Sequence, residues 1–206
     1  MEGVLSLDDV RLEGRTIIYR VDANSPLEPA TRNLLDDSRL HAIVPTLREL
    51  SNSRVAILTH QSRPGKSDFT DTSRHCERLS EIMGQSIRYV PDLCGDEAIE
   101  AIEGMADGDL IFLENVRMNE EEYGVKYNGN EDTESTGIVA RLASVADVYL
   151  TDAFATAHRR SPTLTGFTNT LPCVAGSLME DEIKSLRIAL ADPPNPYLAI
   201  LGGAKC

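Results

Sequence analysis

The stretch Arg54-Val-Ala-Ile-Leu-Thr-His-Gln-Ser-Arg-Pro-Gly65 is central to the fold prediction. Its first five residues are rich in aliphatic side chains, and a Pro-Gly pair ends the segment, a pattern typical of a short buried strand. Open α/β sheets bind their ligands beyond the carboxyl ends of the strands. We therefore predict a strand that runs into a binding loop, with His60 and Arg63 as candidate ligand contacts.

The same arrangement, a short apolar strand followed by polar side chains, recurs three times. The further strands are predicted at residues 16–21, 109–113 and 147–151. The polar groups that follow them are Asp22 and Asn24, then Glu114 and Arg117, then Asp152, His158 and Arg159. Helical segments separate the strands, and this alternation predicts right-handed crossovers in a parallel sheet. The predicted fold class is α/β, a parallel β-sheet flanked by helices in a Rossmann-like three-layer arrangement.

The connecting segments give more local predictions. Helices are expected at residues 73–83, 95–105, 134–145 and 177–191, and a short strand at residues 87–90. Another helix carries an apolar stripe from Leu40 to Leu50 at helical spacing. Pro45 lies inside that helix and is expected to kink or split it near Ala42, because proline removes a backbone donor.

Three segments have weaker patterns. Residues 119–134 are rich in acidic residues, Asn and Gly, and we predict a surface loop there. Residues 163–167 are a candidate short strand, and residues 171–176 are predicted as a turn into the last helix.

The end of the sequence combines a Pro-rich linker with an apolar segment. Three prolines within residues 192–196 exclude a helix or a central strand there. Residues 197–201 are predicted as a strand that opens into a loop containing Gly202, Gly203 and Lys205. This loop lacks the G-x-x-x-x-G-K-[ST] spacing of a P-loop, so alone it is weak evidence for a phosphate site.

Composition excludes several classes of function. The chain has 206 residues, enough for one sizeable domain, and a formal net charge of −13, which argues against nucleic acid or an anionic membrane surface as a partner. Sixteen arginines against four lysines favour bidentate recognition of carboxylate or phosphate. The four cysteines and four histidines lack metal-binding spacing. Without a signal sequence or membrane span, a cytoplasmic location is expected.

The predicted strand ends bring together an unusual number of cations. The candidate substrate contacts are Arg20, Asp22, Asn24, Arg39, His60, Arg63, Arg117, His158 and Arg159. Several guanidinium groups in one pocket repel one another unless a polyanion neutralises them. The pattern therefore points to a ligand with phosphate and carboxylate groups. The alternative is local pairing, of Arg117 with Glu114 and of Arg159 with Asp152.

Six motifs resemble, in order and spacing, those of the phosphoglycerate kinase family, particularly its archaeal-type members. They are Arg-Val-Asp-Ala-Asn-Ser-Pro at residues 20–26, His-Gln-Ser-Arg-Pro at 60–64, Leu-Glu-Asn-Val-Arg at 113–117, Asp-Ala-Phe-Ala-Thr-Ala-His-Arg at 152–159, Ala-Gly-Ser-Leu-Met at 175–179 and Leu-Gly-Gly-Ala-Lys at 201–205. The resemblance implies a two-domain kinase that transfers a phosphoryl group between ATP and 3-phosphoglycerate, giving ADP and 1,3-bisphosphoglycerate. It also implies Mg²⁺ on the nucleotide, held mainly by residues missing from this chain.

The resemblance also implies residue roles. Asp22 and Asn24 match contacts to the hydroxyl and carboxylate region of the substrate. The basic patch that holds the phosphate and carboxylate of the substrate matches His60, Arg63, Arg117 and Arg159. Arg20 and His158 are further candidate substrate contacts because of their positions near the strand ends. Arg39 and Lys205 match catalytic cations that balance charge on the transferred group. Gly202, Gly203 and Lys205 match nucleotide-side contacts.

The chain departs from the family pattern at three places. Ser62 stands where the family usually has Gly, at a loop position where glycine favours φ > 0, and Thr151 replaces the usual Asn. Near the hinge, Glu180-Asp181 replaces a pair that is often basic. The implied division is an N-terminal phosphoglycerate-binding domain, residues 1–188, with its hinge helix. Residues 189–206 would be a linker and the first strand of a truncated nucleotide-binding domain. The fragment is then expected to be inactive alone; the alternative is a short, non-catalytic phosphoglycerate-binding or interaction module.

Overall fold

The computed structural model describes residues 4–191, 193–198 and 200. A six-stranded, all-parallel sheet forms its centre, in the strand order β3-β4-β2-β1-β5-β6. The strands are β1 (Thr16–Arg20), β2 (Arg54–Leu58), β3 (Arg88–Val90), β4 (Leu110–Leu113), β5 (Val148–Thr151) and β6 (Cys173–Ala175). The five predicted strands before residue 152 are thus confirmed.

Helices cover both faces of the sheet. They are α1 (Ser38–Glu49), α2 (Ser73–Met83), α3 (Asp96–Glu103), α4 (Glu120–Tyr123), α5 (Asn130–Glu134), α6 (Gly137–Ala143), α7 (Pro162–Thr165) and α8 (Ser177–Ala191). Three 3-10 turns lie at Leu7–Asp9, Val116–Met118 and Phe154–Thr156.

Two apolar cores separate the layers, because successive side chains of a strand point to opposite faces. In β1, Ile17 joins the core formed with α1 and α2, and Ile18 joins the core formed with α3 and α6. Leu40 and Leu79 are fully buried on the first side, as are Ala98 and Leu142 on the second. The predicted three-layer α/β fold is confirmed.

Pro45 does not split α1, so that part of the prediction is wrong. The helix continues from Ser38 to Glu49, with Pro45 inside it. Pro45 and His41 are exposed, so water can satisfy the His41 carbonyl that proline leaves without a donor. On the opposite side, Ile43 and Leu47 are buried and hold both halves of the helix against the sheet.

Three weakly patterned segments differ from the prediction. Residues 171–176 contain the edge strand β6, which pairs with β5; only three residues form it, too few for alternation to be visible. Residues 163–167 belong largely to α7, whose first residue is Pro162, a helix-start signal. The 119–134 segment is not a plain loop, because α4 and α5 lie in it.

The polar N-terminal segment also contributes to the sheet. Leu5 forms a parallel bridge with Val174 of β6. This bridge partly covers the edge strand, which would otherwise expose unpaired backbone groups.

The predicted tail lies partly outside the described residues. Residues 197, 198 and 200 are described outside any strand, so a strand there is not seen. Gly202, Gly203 and Lys205 lie outside the described residues. The predicted boundary at residue 188 falls within α8, and the division into two domains stays a prediction.

The strand order decides where the site lies. The four strands that end in the predicted polar groups, β4, β2, β1 and β5, are direct neighbours. Because all of them are parallel, their carboxyl ends meet at one edge of the sheet. The loops after them are therefore brought together by the topology itself.

Candidate functional site

A pocket of about 460 Å³ opens at this carboxyl edge. It is lined by Asn24, His60, Ser62, Arg63, Lys66, Asp68, Arg117, Tyr123 and Arg159. Five of the predicted substrate contacts, namely Asn24, His60, Arg63, Arg117 and Arg159, thus line one cavity. We call this cavity the anion pocket.

Buried side chains join the loops that surround the anion pocket. The amide of Gln61 accepts from Ser25 N (3.1 Å) and donates to Ser25 O (3.0 Å). Asn115 accepts from Gln61 N (3.1 Å) and donates to Gln61 O (2.9 Å). Both amides are fully buried, and such satisfied polar networks fix geometry. The loops after β1, β2 and β4 therefore form one rigid frame, which the sequence prediction missed.

Ser62 occupies the loop position where the family resemblance suggested glycine. Its φ is 54°, in the left-handed region that favours glycine. Ser62 N donates to Asn24 Oδ1 (2.7 Å), and Ser62 Oγ donates to Asp68 Oδ1 (2.6 Å). These two hydrogen bonds hold a serine in a conformation that is otherwise unfavourable, so the loop keeps its course without glycine.

Arg117 contributes a half-buried cation to the pocket wall. Its guanidinium donates to Ser62 O and lies 5.7 Å from the centre of the Tyr123 ring. Burial, followed by the neighbouring Arg159 and Arg20, lowers the pKa of Arg117 to about 10. The two neighbouring guanidinium groups add to the effect of burial, and a bound anion would favour the charged form of Arg117.

The local acids do not neutralise these arginines, so the pairing alternative is wrong for both. Glu114 accepts from Tyr89 Oη (2.8 Å) and from Asn115 N (2.6 Å). Asp152 accepts from Tyr19 Oη (2.5 Å), Thr46 Oγ1 (2.7 Å) and Met179 N (2.8 Å). Both carboxylates serve the scaffold, and the pocket keeps its positive charge.

Asp22 and Arg39 lie beside the pocket as an ion pair. The Arg39 guanidinium contacts the Asp22 carboxylate, and Asp22 Oδ1 also accepts from Asn24 N (3.2 Å). The side chain of Arg39 is 45% exposed, so part of its guanidinium faces solvent at this edge despite the ion pair. Arg39 is therefore connected to the pocket through Asp22 and Asn24, without lining it.

Two predicted contacts lie elsewhere. Arg20 is only 2% exposed and lies behind the pocket wall, where it donates to Thr163 Oγ1 (3.0 Å) and to Val21 O. His158 is exposed and is not among the lining residues. Lys66, by contrast, lines the pocket and was not predicted. It directly follows Pro64 and Gly65, at the end of the predicted binding loop.

Charge distinguishes the anion pocket from a larger cavity. That cavity, about 530 Å³, is lined by residues 7–13 with Glu49, Asn52 and Ser53. Asp8, Asp9, Glu13 and Glu49 make its wall acidic, with Arg11 as the only cation among its lining residues. It is unsuited to an anion, so size alone does not select the site.

The anion pocket does not suit Mg²⁺. Mg²⁺ takes oxygen ligands, whereas this pocket has a single carboxylate, Asp68, among the cations Arg63, Lys66, Arg117 and Arg159. Across the described residues, no group of three or more His, Cys, Asp or Glu side chains could hold a metal ion. None of the helices described is long and apolar enough to cross a membrane.

An open parallel sheet with an arginine-lined pocket beyond its strand ends defines an α/β protein with a positively charged pocket at the carboxyl edge of its sheet. The sequence profile described as "Phosphoglycerate kinase" matches residues 7–206. The chain therefore belongs to the phosphoglycerate kinase family.

Individual relatives agree with this assignment. A phosphoglycerate kinase of Methanothermus fervidus is 46% identical over 202 residues, and one of Methanocorpusculum labreanum is 42% identical over 200 residues. Both matches cover 97% of this chain and 49% of the relative. The crystal structure of phosphoglycerate kinase from Pyrococcus horikoshii OT3 superimposes with a TM-score of 0.92 at 39% identity, covering 98% of this chain and 49% of that one. The chain spans about half the length of the curated relatives it matches.

Proposed function

We propose that the anion pocket binds 3-phosphoglycerate, as the substrate half of a phosphoglycerate kinase. The observation that supports this most strongly is a group of pocket arginines that form no ion pair with a carboxylate among the described residues. Asp68, the one carboxylate in the pocket lining, accepts from Ser62 Oγ. Arg63, Arg117 and Arg159 come from three separate loops and line one cavity. A ligand with a phosphate and a carboxylate supplies the negative charge that this arrangement lacks.

Each lining residue has a donor suited to such a ligand. Arg63, Arg117 and Arg159, with His60, are assigned to the phosphate and carboxylate. Asn24 Oδ1 is occupied by Ser62 N, so the Nδ2 group remains to donate to a ligand oxygen. Asp22 lies next to Asn24 and is assigned to the substrate hydroxyl.

The chemical step in this proposal is reversible phosphoryl transfer between ATP and the carboxylate of 3-phosphoglycerate. Arg39 stabilises charge on the transferred group from the substrate side, and Lys205, with Gly202 and Gly203, acts from the nucleotide side. Such reactions depend on positioning and charge stabilisation. Mg²⁺ would accompany ATP or ADP, and the described residues of this chain would not hold it. We place the protein in the cytoplasm, without a nucleic-acid or membrane partner.

Calorimetric titration of this chain with 3-phosphoglycerate tests the proposal. We expect one weak site per chain, and loss of that binding when glycerate, which lacks the phosphate, replaces the ligand. A coupled assay with ATP and Mg²⁺ is expected to show no sustained ADP formation by this chain alone. Equal binding of glycerate and 3-phosphoglycerate would refute the assignment of the arginines to phosphate.

A further inference from the structure

Arg20 has an environment that direct substrate binding does not explain. It is a fully buried cation whose nearest hydrogen-bond acceptors are neutral, Thr163 Oγ1 at 3.0 Å and the carbonyl of Val21. Burying a charge is costly unless it is compensated. The charge of this buried guanidinium must therefore be compensated by the groups around it.

A buried carboxylate compensates Arg20 through a hydroxyl group. Glu122, which is 8% exposed, accepts from Thr163 Oγ1 (2.7 Å), Thr163 N (2.9 Å) and Ser161 Oγ (2.8 Å). A threonine hydroxyl has one proton, so when it donates to Glu122 its lone pairs face Arg20 Nε. Thr163 thus connects the carboxylate to the guanidinium and fixes the orientation of both.

The other end of Arg20 faces His60. Arg20 Nη2 lies 3.4 Å from His60 Nδ1. A guanidinium has donors only, so Nδ1 must be the acceptor and cannot carry a proton. Burial, together with the charges of Arg20 and Arg117, holds the pKa of His60 far below its ordinary value, which keeps the ring neutral.

We infer that Glu122, Thr163 and Arg20 form a relay that fixes His60 in the neutral tautomer protonated at Nε2. His60 lines the anion pocket, and Nε2 makes no hydrogen bond to any residue the structure describes. The ring therefore presents an N–H donor to a bound oxyanion. The other tautomer would present a lone pair and repel the anion.

This relay makes Arg20 a positioning residue that acts through His60, instead of a substrate contact. The ligand side of the inference rests on the proposed function. The tautomer itself is a property of the ligand-free chain, so the two can be tested separately.

Long-range proton–nitrogen correlation spectra of the ¹⁵N-labelled, ligand-free chain report the protonation of each histidine nitrogen. We expect His60 to be protonated at Nε2 and bare at Nδ1. Thr163→Val removes the acceptor of Arg20 Nε and is expected to give a mixture of tautomers. Thr163→Ser keeps the hydroxyl and should restore the single tautomer. Thr165→Val, the same change on the same helix, is the matched control and should leave His60 unchanged.

Binding of inorganic phosphate supplies the second readout. Thr163→Val should weaken it roughly tenfold, as expected for one hydrogen bond to a charged group, and Thr163→Ser should not. A proton on His60 Nδ1 in the wild-type chain would overturn the inference, as would a Thr163→Val variant with an unchanged tautomer. The expected tautomers in a chain that binds no phosphate would instead contradict the proposed function and leave the relay standing.

Discussion

Arg117 and Arg39 have different positions, and we propose different roles for them, substrate binding for Arg117 and charge stabilisation during phosphoryl transfer for Arg39. Arg117 lines the anion pocket, whereas Arg39 is paired with Asp22 beside it. Arg117→Ala should weaken 3-phosphoglycerate binding by about 1.5–3 kcal/mol, the range for a hydrogen bond to a charged group. Arg39→Ala should change that affinity much less. Calorimetry of both variants measures this, with Arg74→Ala on α2 as an exposed control outside the pocket.

An equal loss of affinity in the Arg39 and Arg117 variants would show that Arg39 is a substrate contact. A loss as large in the Arg74 variant would show a non-specific charge effect.

Two buried histidines make the stability of this chain sensitive to acid. Burial lowers the pKa of His75 to about 4, and its Nε2 hydrogen-bonds to Gln61 Oε1 at 3.0 Å. An unfolded histidine titrates near 6.5. Below that pH the unfolded chain takes up a proton that the folded chain does not, so the free energy of unfolding falls as the pH falls. His60, with a pKa lowered in the same direction, adds to this effect.

Urea unfolding at pH 7 and pH 5 checks this expectation. The free energy of unfolding should be lower at pH 5 by about 2 kcal/mol for His75 alone. A His75→Gln variant should lose part of the difference between the two pH values. Equal stability of the wild-type chain at both pH values would contradict the account.

Individual residues show what sequence reasoning could and could not find at the site. Arg63, Arg117 and Arg159 were found because each follows a recognisable strand. Gln61 and Asn115 were missed because their role is contact between loops far apart in sequence. Arg20 is the last residue of strand β1, and only the structure shows that its side chain is buried.

At the scale of elements, Asp152 attaches α8 to the sheet. This buried carboxylate accepts from Tyr19 in β1, from Thr46 in α1 and from Met179 N in the first turn of α8. An added Cβ at Gly176 would lie 2.3 Å from Asp152 Oδ2, so glycine is needed where α8 begins. The Asp-Ala-Phe motif, which begins at Asp152, thus packs directly against the Ala-Gly-Ser motif, which contains Gly176.

Asp152→Asn places an N–H group against these donors. We expect a loss of about 3 kcal/mol in unfolding free energy, since buried donors are left unsatisfied, and faster amide hydrogen exchange at Met179. Asp181→Asn, an exposed change on α8, is the matched control. Unchanged exchange at Met179 in the Asp152 variant would show that the carboxylate does not hold the helix.

The prediction of elements succeeded for the apolar strands and missed two short elements, β6 and α7. Strands β1, β2, β4 and β5 are continuous apolar segments, as buried parallel strands usually are. The three-residue strand β6 and the four-residue helix α7 contain too few residues to show a period. Their conformation is determined by neighbours, Leu5 and β5 for the strand and Glu122 for the helix.

At the scale of the whole molecule, the chain places a local positive site on an acidic protein. The formal net charge is −13, while the anion pocket is lined by three arginines, Lys66 and His60. Because the rest of the protein is acidic, we expect anion binding at this edge of the sheet. The location of the ligand is therefore the central claim.

Amide NMR spectra recorded during titration with 3-phosphoglycerate test that claim most directly. We expect the largest shift changes at Asn24, Ser62 and Arg117, around the anion pocket, and little change at residues 7–13 around the larger acidic cavity. Shift changes centred on the acidic cavity, or none at saturating ligand, would contradict the account.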